Sequence, residues 1–265
     1  MDGPPPALDQ RLIFTVTTGR SGTRFLAGLL RGFPAVDARH EPPPRFSDAF
    51  RTVVQFPDLA AEFWCRHKLP AIARSKKPIY AETSHLAGKG FLESLLDLGF
   101  RPDLLHLHRP PRAVATSLWR LGTVPGRSYR GVRYYLAPTD RVVLPLPPDR
   151  IAGLHDYQLC YWYCLEMAAR AARYAGTFAG RGVRVHDLPL GELALPGGIE
   201  RLGRRLDLGP YRRTRAAILH LFDRDRHNRR DDRKRDLHLP EERLVALEAE
   251  VRDLAGPAAD HAPLA

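Results

Sequence analysis

The sequence predicts an α/β sandwich, three layers deep, with helices on both sides of a central parallel sheet. Two observations carry this. Residues 12–16 and 103–108 are short apolar runs of the kind found in buried strands, and each leads through a turn into a helical pattern. Between and beyond them, strand-like and helix-like segments alternate without an internal repeat. Right-handed crossovers in such a fold place ligands beyond the C-terminal ends of the strands.

The elements follow in order. Residues 1–10 read as a loose tail, 12–16 as a strand and 23–31 as a helix whose apolar face is Phe25, Leu26, Leu29 and Leu30. Residues 33–45 contain four prolines and read as extended or looped, with Arg39-His40-Glu41 inside. Helical spacing returns at 47–52 and 58–74. A short strand at 78–81 ends in Glu82-Thr83-Ser84-His85, and a helix at 90–98 is stopped by Gly99. The strand 103–108 passes through Arg109-Pro110-Pro111 into a helix at 112–121, where proline is favourable in the first turn because its missing N–H is not needed. Residues 122–150 show no period and read as an insertion over the site, since long structureless loops are usually functional. The longest helix is expected at 155–178, a strand at 182–186, short helices at 198–206 and 211–221, and a closing helix at 241–254. The whole reads as one domain spanning 1–265.

Composition narrows the class. There are 41 Lys and Arg against 30 Asp and Glu, a formal charge of +11, which favours an anionic ligand or acceptor. No apolar run reaches the roughly 18 residues that cross a bilayer. The first ten residues have neither a basic nor an apolar leader region, so a cytoplasmic location is expected. Cys65, Cys160 and Cys164 are too few for a disulfide framework and complete no zinc spacing, so buried thiols are expected.

The stretch Thr17-Thr18-Gly19-Arg20-Ser21-Gly22-Thr23-Arg24 joins the first strand to the first helix. Orphan N–H groups and the positive end of the helix dipole make such a junction an anion site. Gly19 and Gly22 let the backbone approach a phosphate, Arg20 and Arg24 add fixed charge, and Ser21 and Thr23 add hydroxyls. An ATP or GTP loop of the form GxxxxGK[ST] needs a lysine straight after its last glycine, whereas Thr23 and Arg24 follow Gly22 here.

The loop resembles that of the nucleotide-dependent sulfotransferases, which reads Lys/Arg-Ser-Gly-Thr after a strand. The second motif strengthens the resemblance: Arg109 stands at a strand end and Ser117 eight residues on, in a helix. The match is specific over 11–31 and 103–121. It implies a P-loop NTPase-like fold and 3′-phosphoadenosine 5′-phosphosulfate as sulfuryl donor. Gly19, Arg20, Ser21, Gly22, Thr23 and Arg24 would hold the 5′-phosphosulfate, and Arg109 and Ser117 the 3′-phosphate. The reaction would be in-line sulfuryl transfer to an acceptor hydroxyl or amine without a metal, with Arg20 beside the bond that breaks.

The acceptor must lose a proton, so a base is needed within reach. Glu41, His40 and Glu82 are the candidates. Glu41 lies in a Glu-Pro pair like that of carbohydrate and protein sulfotransferases, a closer likeness than to the cytosolic small-molecule type. The charge run 223–236 resembles the family's basic C-terminal segment, with Arg229 and Arg230 toward the nucleotide. A glycan, peptide, phenol or lipid alcohol all suit as acceptor. A P-loop kinase or NTPase, and a basic polyanion- or nucleic-acid-binding protein, are the other classes, though no nucleic-acid-binding motif is present.

Overall fold

The computed structural model describes residues 7–212 and 234–261. In chain order the main elements are β1 (Arg11–Thr17), α1 (Thr23–Leu30), β2 (Val36–His40), α2 (Phe46–Gln55), α3 (Leu59–Phe63), α4 (Leu69–Ile72), β3 (Ile79–Thr83), α5 (Phe91–Asp97), β4 (Asp103–His108), α6 (Pro111–Arg120), α7 (Tyr129–Tyr134), α8 (Pro148–Ile151), α9 (Asp156–Phe178), β5 (Arg184–Pro189) and α10 (Gly198–Arg205). A further helix runs over Glu241–Ala255.

The five strands form one sheet in the order β2-β3-β1-β4-β5, every pair parallel. Strand alternation explains the layers. Leu12, Phe14 and Val16 of β1 face a core with Phe46, Trp64, Phe91, Leu118 and Trp162. Ile13 faces the other way, onto Phe25, Leu26 and Leu29 of α1 and Leu202 of α10. The expected α/β sandwich with a central parallel sheet is therefore the observed fold.

The strand order also fixes where a ligand can go. From β1 the chain crosses to β2 on one side, and from β4 it crosses to β5 on the other. A crevice opens between the C-terminal ends of β1 and β4, the switch point of an open α/β sheet. Both sequence motifs begin there.

Several sequence expectations shift. Residues 33–45, read as extended or looped, contain the edge strand β2, where Val36 and Ala38 bury inward against α1 and β3. The prolines flank this strand rather than interrupt it. The helix expected over 58–74 is broken by a π-helical turn at Trp64–Lys68, just before Pro70 takes an early position in α4. A wider turn accommodates the proline's missing donor and is common near functional sites. The strand expected at 78–81 continues through Thr83, which puts Glu82 inside β3. The last strand runs over Arg184–Pro189, later than expected.

The segment 122–150 is not structureless. It carries α7 and α8, and its turns are tied down by acidic side chains. Asp140 accepts from Ala137 N at 2.8 Å and pairs with Arg51 at 2.8 Å, while buried Glu166 of α9 accepts from Val143 N and Leu144 N at 3.0 and 2.7 Å. Within the expected tail, Leu8 packs on the core and Gln10 donates to Ser75 O at 3.0 Å. Most of the helix expected at 211–221 lies outside the described residues, as do Arg229 and Arg230. The described end of the charge run is docked on α6: Arg235 N donates to Arg120 O at 2.7 Å, and its guanidinium to Trp119 O at 3.2 Å.

The most enclosed ion pair is Lys68 with Glu82, 2.9 Å apart and 1 % and 0 % exposed. Removing one partner of such a pair leaves an uncompensated buried charge, at a cost of about 3–5 kcal/mol. Lys68→Met is therefore expected to lower the unfolding free energy by that amount in a urea titration. A change below ~1 kcal/mol, the usual worth of an exposed pair, would show that the pair is not structural.

Candidate functional site

The loop between β1 and α1 is shaped by backbone as much as by side chains. Gly22 caps α1 with φ of 88°, a left-handed conformation that glycine adopts without a Cβ clash. Gly22 offers no side-chain cap and no acidic residue stands in the first turn of α1, so no carboxylate within that turn offsets the positive end of the helix dipole. Gly19 leaves room for Tyr135: a Cβ there would meet the tyrosine hydroxyl at 2.5 Å and push the ring aside. Thr18 and Ser21 are buried and hydrogen-bond through their hydroxyls, which closes the loop on itself. Thr17 donates to Leu107 O at 2.5 Å and fastens the loop's base to β4.

The second motif comes across the crevice to meet the first. Arg20 Nε donates to Ser117 Oγ at 3.4 Å, and Arg109 Nη1 donates to the Arg20 carbonyl at 3.2 Å. Arg20 thus meets a second arginine and a helix hydroxyl that lie 89 and 97 residues further along the chain. The start of α6, with Pro110 at its cap and no acid in its first turn, belongs to the same rim. Arg24 is exposed one residue into α1. The arrangement can hold an anion at the first helix N-terminus and a second one near Arg109.

The third component is the C-terminal end of β2. Glu41 follows β2 with φ of +45°, and Arg20 has φ of +70°; with Asp207 these are the non-glycine residues of positive φ among the described residues. Such conformations cost about 1–3 kcal/mol and persist where surrounding contacts impose them. For Glu41 the contacts are visible. Ser84 Oγ donates to its Oε1 at 3.4 Å, and His85 Nε2 lies 3.9 Å from the same oxygen. The prolines after it are held by Lys68, whose Nζ donates to Pro42 O and Pro44 O at 3.3 and 2.7 Å.

The structure separates the three candidate bases. Glu41 keeps about a third of its side chain exposed, just beyond the C-terminal end of β2. Glu82 is fully buried, with Lys68 on one oxygen and the Tyr80 hydroxyl at 2.8 Å on the other. Burial raises its pKa, opposed chiefly by Lys68. His40 turns Nδ1 to Thr83 O at 3.0 Å, and burial lowers its pKa.

Two residues at this site carry no signal in the sequence. Lys89 is 1 % exposed and lies 4.8 to 5.4 Å from the centres of the Phe50, Tyr135 and Tyr163 rings. Its Nζ donates to Tyr134 O at 2.8 Å and lies 3.1 Å from His85 Nδ1. Burial, and then Arg170, hold its pKa well below the ordinary lysine range, against the ring faces that favour the cation. With Nζ donating to Nδ1, the ring proton of His85 is assigned to Nε2, on the side of Glu41. A buried lysine looks like any surface lysine in sequence, and the rings around it come from three separate elements.

Among comparisons with known proteins, no family model and no curated protein matches the chain. One similar solved structure is the sulfotransferase domain from the Synechococcus PCC 7002 olefin synthase, with 16 % identity over 99 % of this chain and 95 % of that one, at a TM-score of 0.46.

Burial, and then Lys89, hold the pKa of His85 well below its ordinary value. The unfolded chain therefore takes up a proton below about pH 6.5 that the folded chain resists, and stability present above that pH is lost as it falls. The expected slope is up to ~1.4 kcal/mol per pH unit for each such histidine. Denaturant titrations from pH 7.5 to about 5 should show this decline, flattened in His85→Asn; equal profiles would remove His85 as its source.

Proposed function

We propose that this chain is a sulfotransferase that moves the sulfuryl group of 3′-phosphoadenosine 5′-phosphosulfate to an acceptor hydroxyl or amine. The observation that carries the reading is the convergence of the two motifs at the crevice between β1 and β4, with Arg109 on the Arg20 carbonyl and Arg20 on Ser117. One anion-binding helix end would suit many nucleotides. A second arginine cluster across the same crevice suits a nucleotide with phosphates at both ends of its ribose.

In this reading the loop 19–24 and the α1 N-terminus hold the 5′ end of the donor, and Arg109 with Ser117 holds the 3′-phosphate. The donor supplies an activated sulfuryl group: its S–O bond to the nucleotide phosphate breaks as the bond to the acceptor oxygen or nitrogen forms. Charge then grows on the departing phosphate. Arg20 and the helix N–H groups stabilise it there, already oriented and at no cost in reorganisation.

Glu41 is the base. It is the candidate carboxylate with open access, and Ser84 and His85 orient it. Glu82 is assigned the structural task of holding Lys68, and His40 the task of fastening β2 to β3. The Glu41-Pro42 pair supports a reading nearer the carbohydrate and protein type than the small-molecule type. The acceptor is a glycan, peptide, phenol or lipid alcohol. Among the described residues no helix is long and apolar enough to cross a membrane.

Thermal unfolding with adenosine 3′,5′-bisphosphate against ATP with magnesium tests the donor site. A ligand at a hundred times its dissociation constant stabilises by about 2.7 kcal/mol. Stabilisation by the bisphosphate alone is expected, and Arg109→Ala should erase its advantage over adenosine 5′-phosphate. An equal shift with ATP and magnesium would favour a kinase or NTPase instead.

Glu41→Gln should keep bisphosphate binding and lose transfer of labelled sulfuryl group by roughly 10²- to 10⁴-fold, the usual contribution of a positioned base. Near-normal turnover would exclude Glu41 from that role.

A further inference from the structure

The C-terminal edge of the sheet carries a side-chain cluster to which the proposed donor site assigns no role. His106 and His108 alternate along β4 and so project from the same face of the sheet. Asp187 on β5 stands in register opposite His106. Its carboxylate lies 3.0 Å from His106 Nδ1 and 3.2 Å from His108 Nε2. The two imidazoles are stacked, centres 4.8 Å apart and planes inclined by 26°. One donor atom from each residue lies within 4.8 Å of the other two.

We propose that His106, His108 and Asp187 form a binding site for a divalent first-row transition metal.

Geometry argues first. Zinc bonds to histidine nitrogen and carboxylate oxygen are about 2.0–2.2 Å, so adjacent donors around a tetrahedral ion stand roughly 3.3 Å apart. The two His–Asp distances are already within a few tenths of that value. The two histidine nitrogens lie within 4.8 Å of each other, and a bound ion would draw them together.

The backbone is fixed on both sides of the cluster. β4 and β5 are paired residue by residue through this region, and Arg205 donates to the Asp187 carbonyl at 2.6 Å. The histidine side chains are 12 % and 15 % exposed, and that of Asp187 is 67 % exposed, so an ion has a route from solvent and a partly dry seat. The two histidines also line a cavity of about 20 Å³ together with Thr17, Arg109, Val114 and Met167.

Donor chemistry then selects the ion. Two imidazoles and one carboxylate suit zinc and its first-row neighbours. Calcium and magnesium demand oxygen ligands and more of them. Three protein ligands leave one position for water. In the metal-free protein the cluster is held by N–H···O bonds, so binding must displace those protons and should strengthen with rising pH. Sequence spacing gave no hint of the site, because Asp187 lies 79 residues beyond His108.

The test uses the full chain, free of any affinity tag and stripped with a chelator. Zinc is titrated against a competing chromophoric chelator, and cobalt(II) provides the visible spectrum. One saturable zinc equivalent per chain is expected, with His106 and His108 giving a histidine-ligated cobalt band. His108→Ala and Asp187→Asn should each weaken zinc on the order of a hundredfold or more, since even an outer partner of a metal ligand is worth 10–100-fold. Metal-free melting curves check that each variant folds, and His106→Gln, which keeps polarity and bulk, provides a second ligand deletion should either fail. Absence of a saturable equivalent, or variants that hold zinc as tightly as the wild type, would overturn the proposal.

Discussion

The contact between Lys68 and Glu82 constrains the site more than any other. Two opposite charges sit in a space closed to water, and neither tolerates the loss of its partner. Each spends its remaining hydrogen-bonding capacity on something useful. Glu82 takes the Tyr80 hydroxyl, and Lys68 reaches the carbonyls of Pro42 and Pro44. A proline-rich loop has few N–H groups with which to anchor itself. The lysine supplies the missing donor and fixes the loop that presents Glu41. The residue after Glu82 extends the framework: Thr83 donates to Thr23 O at 2.8 Å, joining the end of β3 to the start of α1.

The phosphate-like loop and the carboxylate loop are therefore not independent. Thr15 on β1 accepts from Ser84 N at 2.9 Å and donates to Ser84 O at 2.8 Å. Ser84 in turn touches Glu41. Positive φ at Glu41 stands beside this mesh, that at Arg20 beside Arg109 and Ser117, and both residues lie where the chemistry is proposed. Strain of this kind tends to collect at functional positions because the neighbours, not the local sequence, decide the backbone.

How much of this was legible in the sequence follows from the range of the forces involved. Strand β4 was readable to the residue because its leucines and the prolines after it are local signals. The loop 19–24 was readable because glycine, hydroxyl and cation positions follow directly from a strand. β2 was hidden: five residues with two buried side chains give too short an alternation beside four prolines. The burial of Glu82 was hidden because its counter-ion lies 14 residues back, inside a π turn that no propensity marks. Lys89 and His85 were hidden for the same reason, as burial by distant rings leaves no trace in neighbouring residues. Whatever depended on a long-range pairing of polar groups had to await the three-dimensional arrangement.

Tyr135 has a consequence of its own. Its hydroxyl end lies against Gly19, while its ring lies 5.3 Å from that of His85 and 4.9 Å from the Lys89 ammonium. One side chain from the segment 122–150 thus touches both the glycine loop and the His85–Lys89 pair. A ligand that shifts the glycine loop would press on this ring, and so would one that displaces the histidine. Were the two events coupled through it, thermodynamic reciprocity would require each to alter the other's affinity by the same factor.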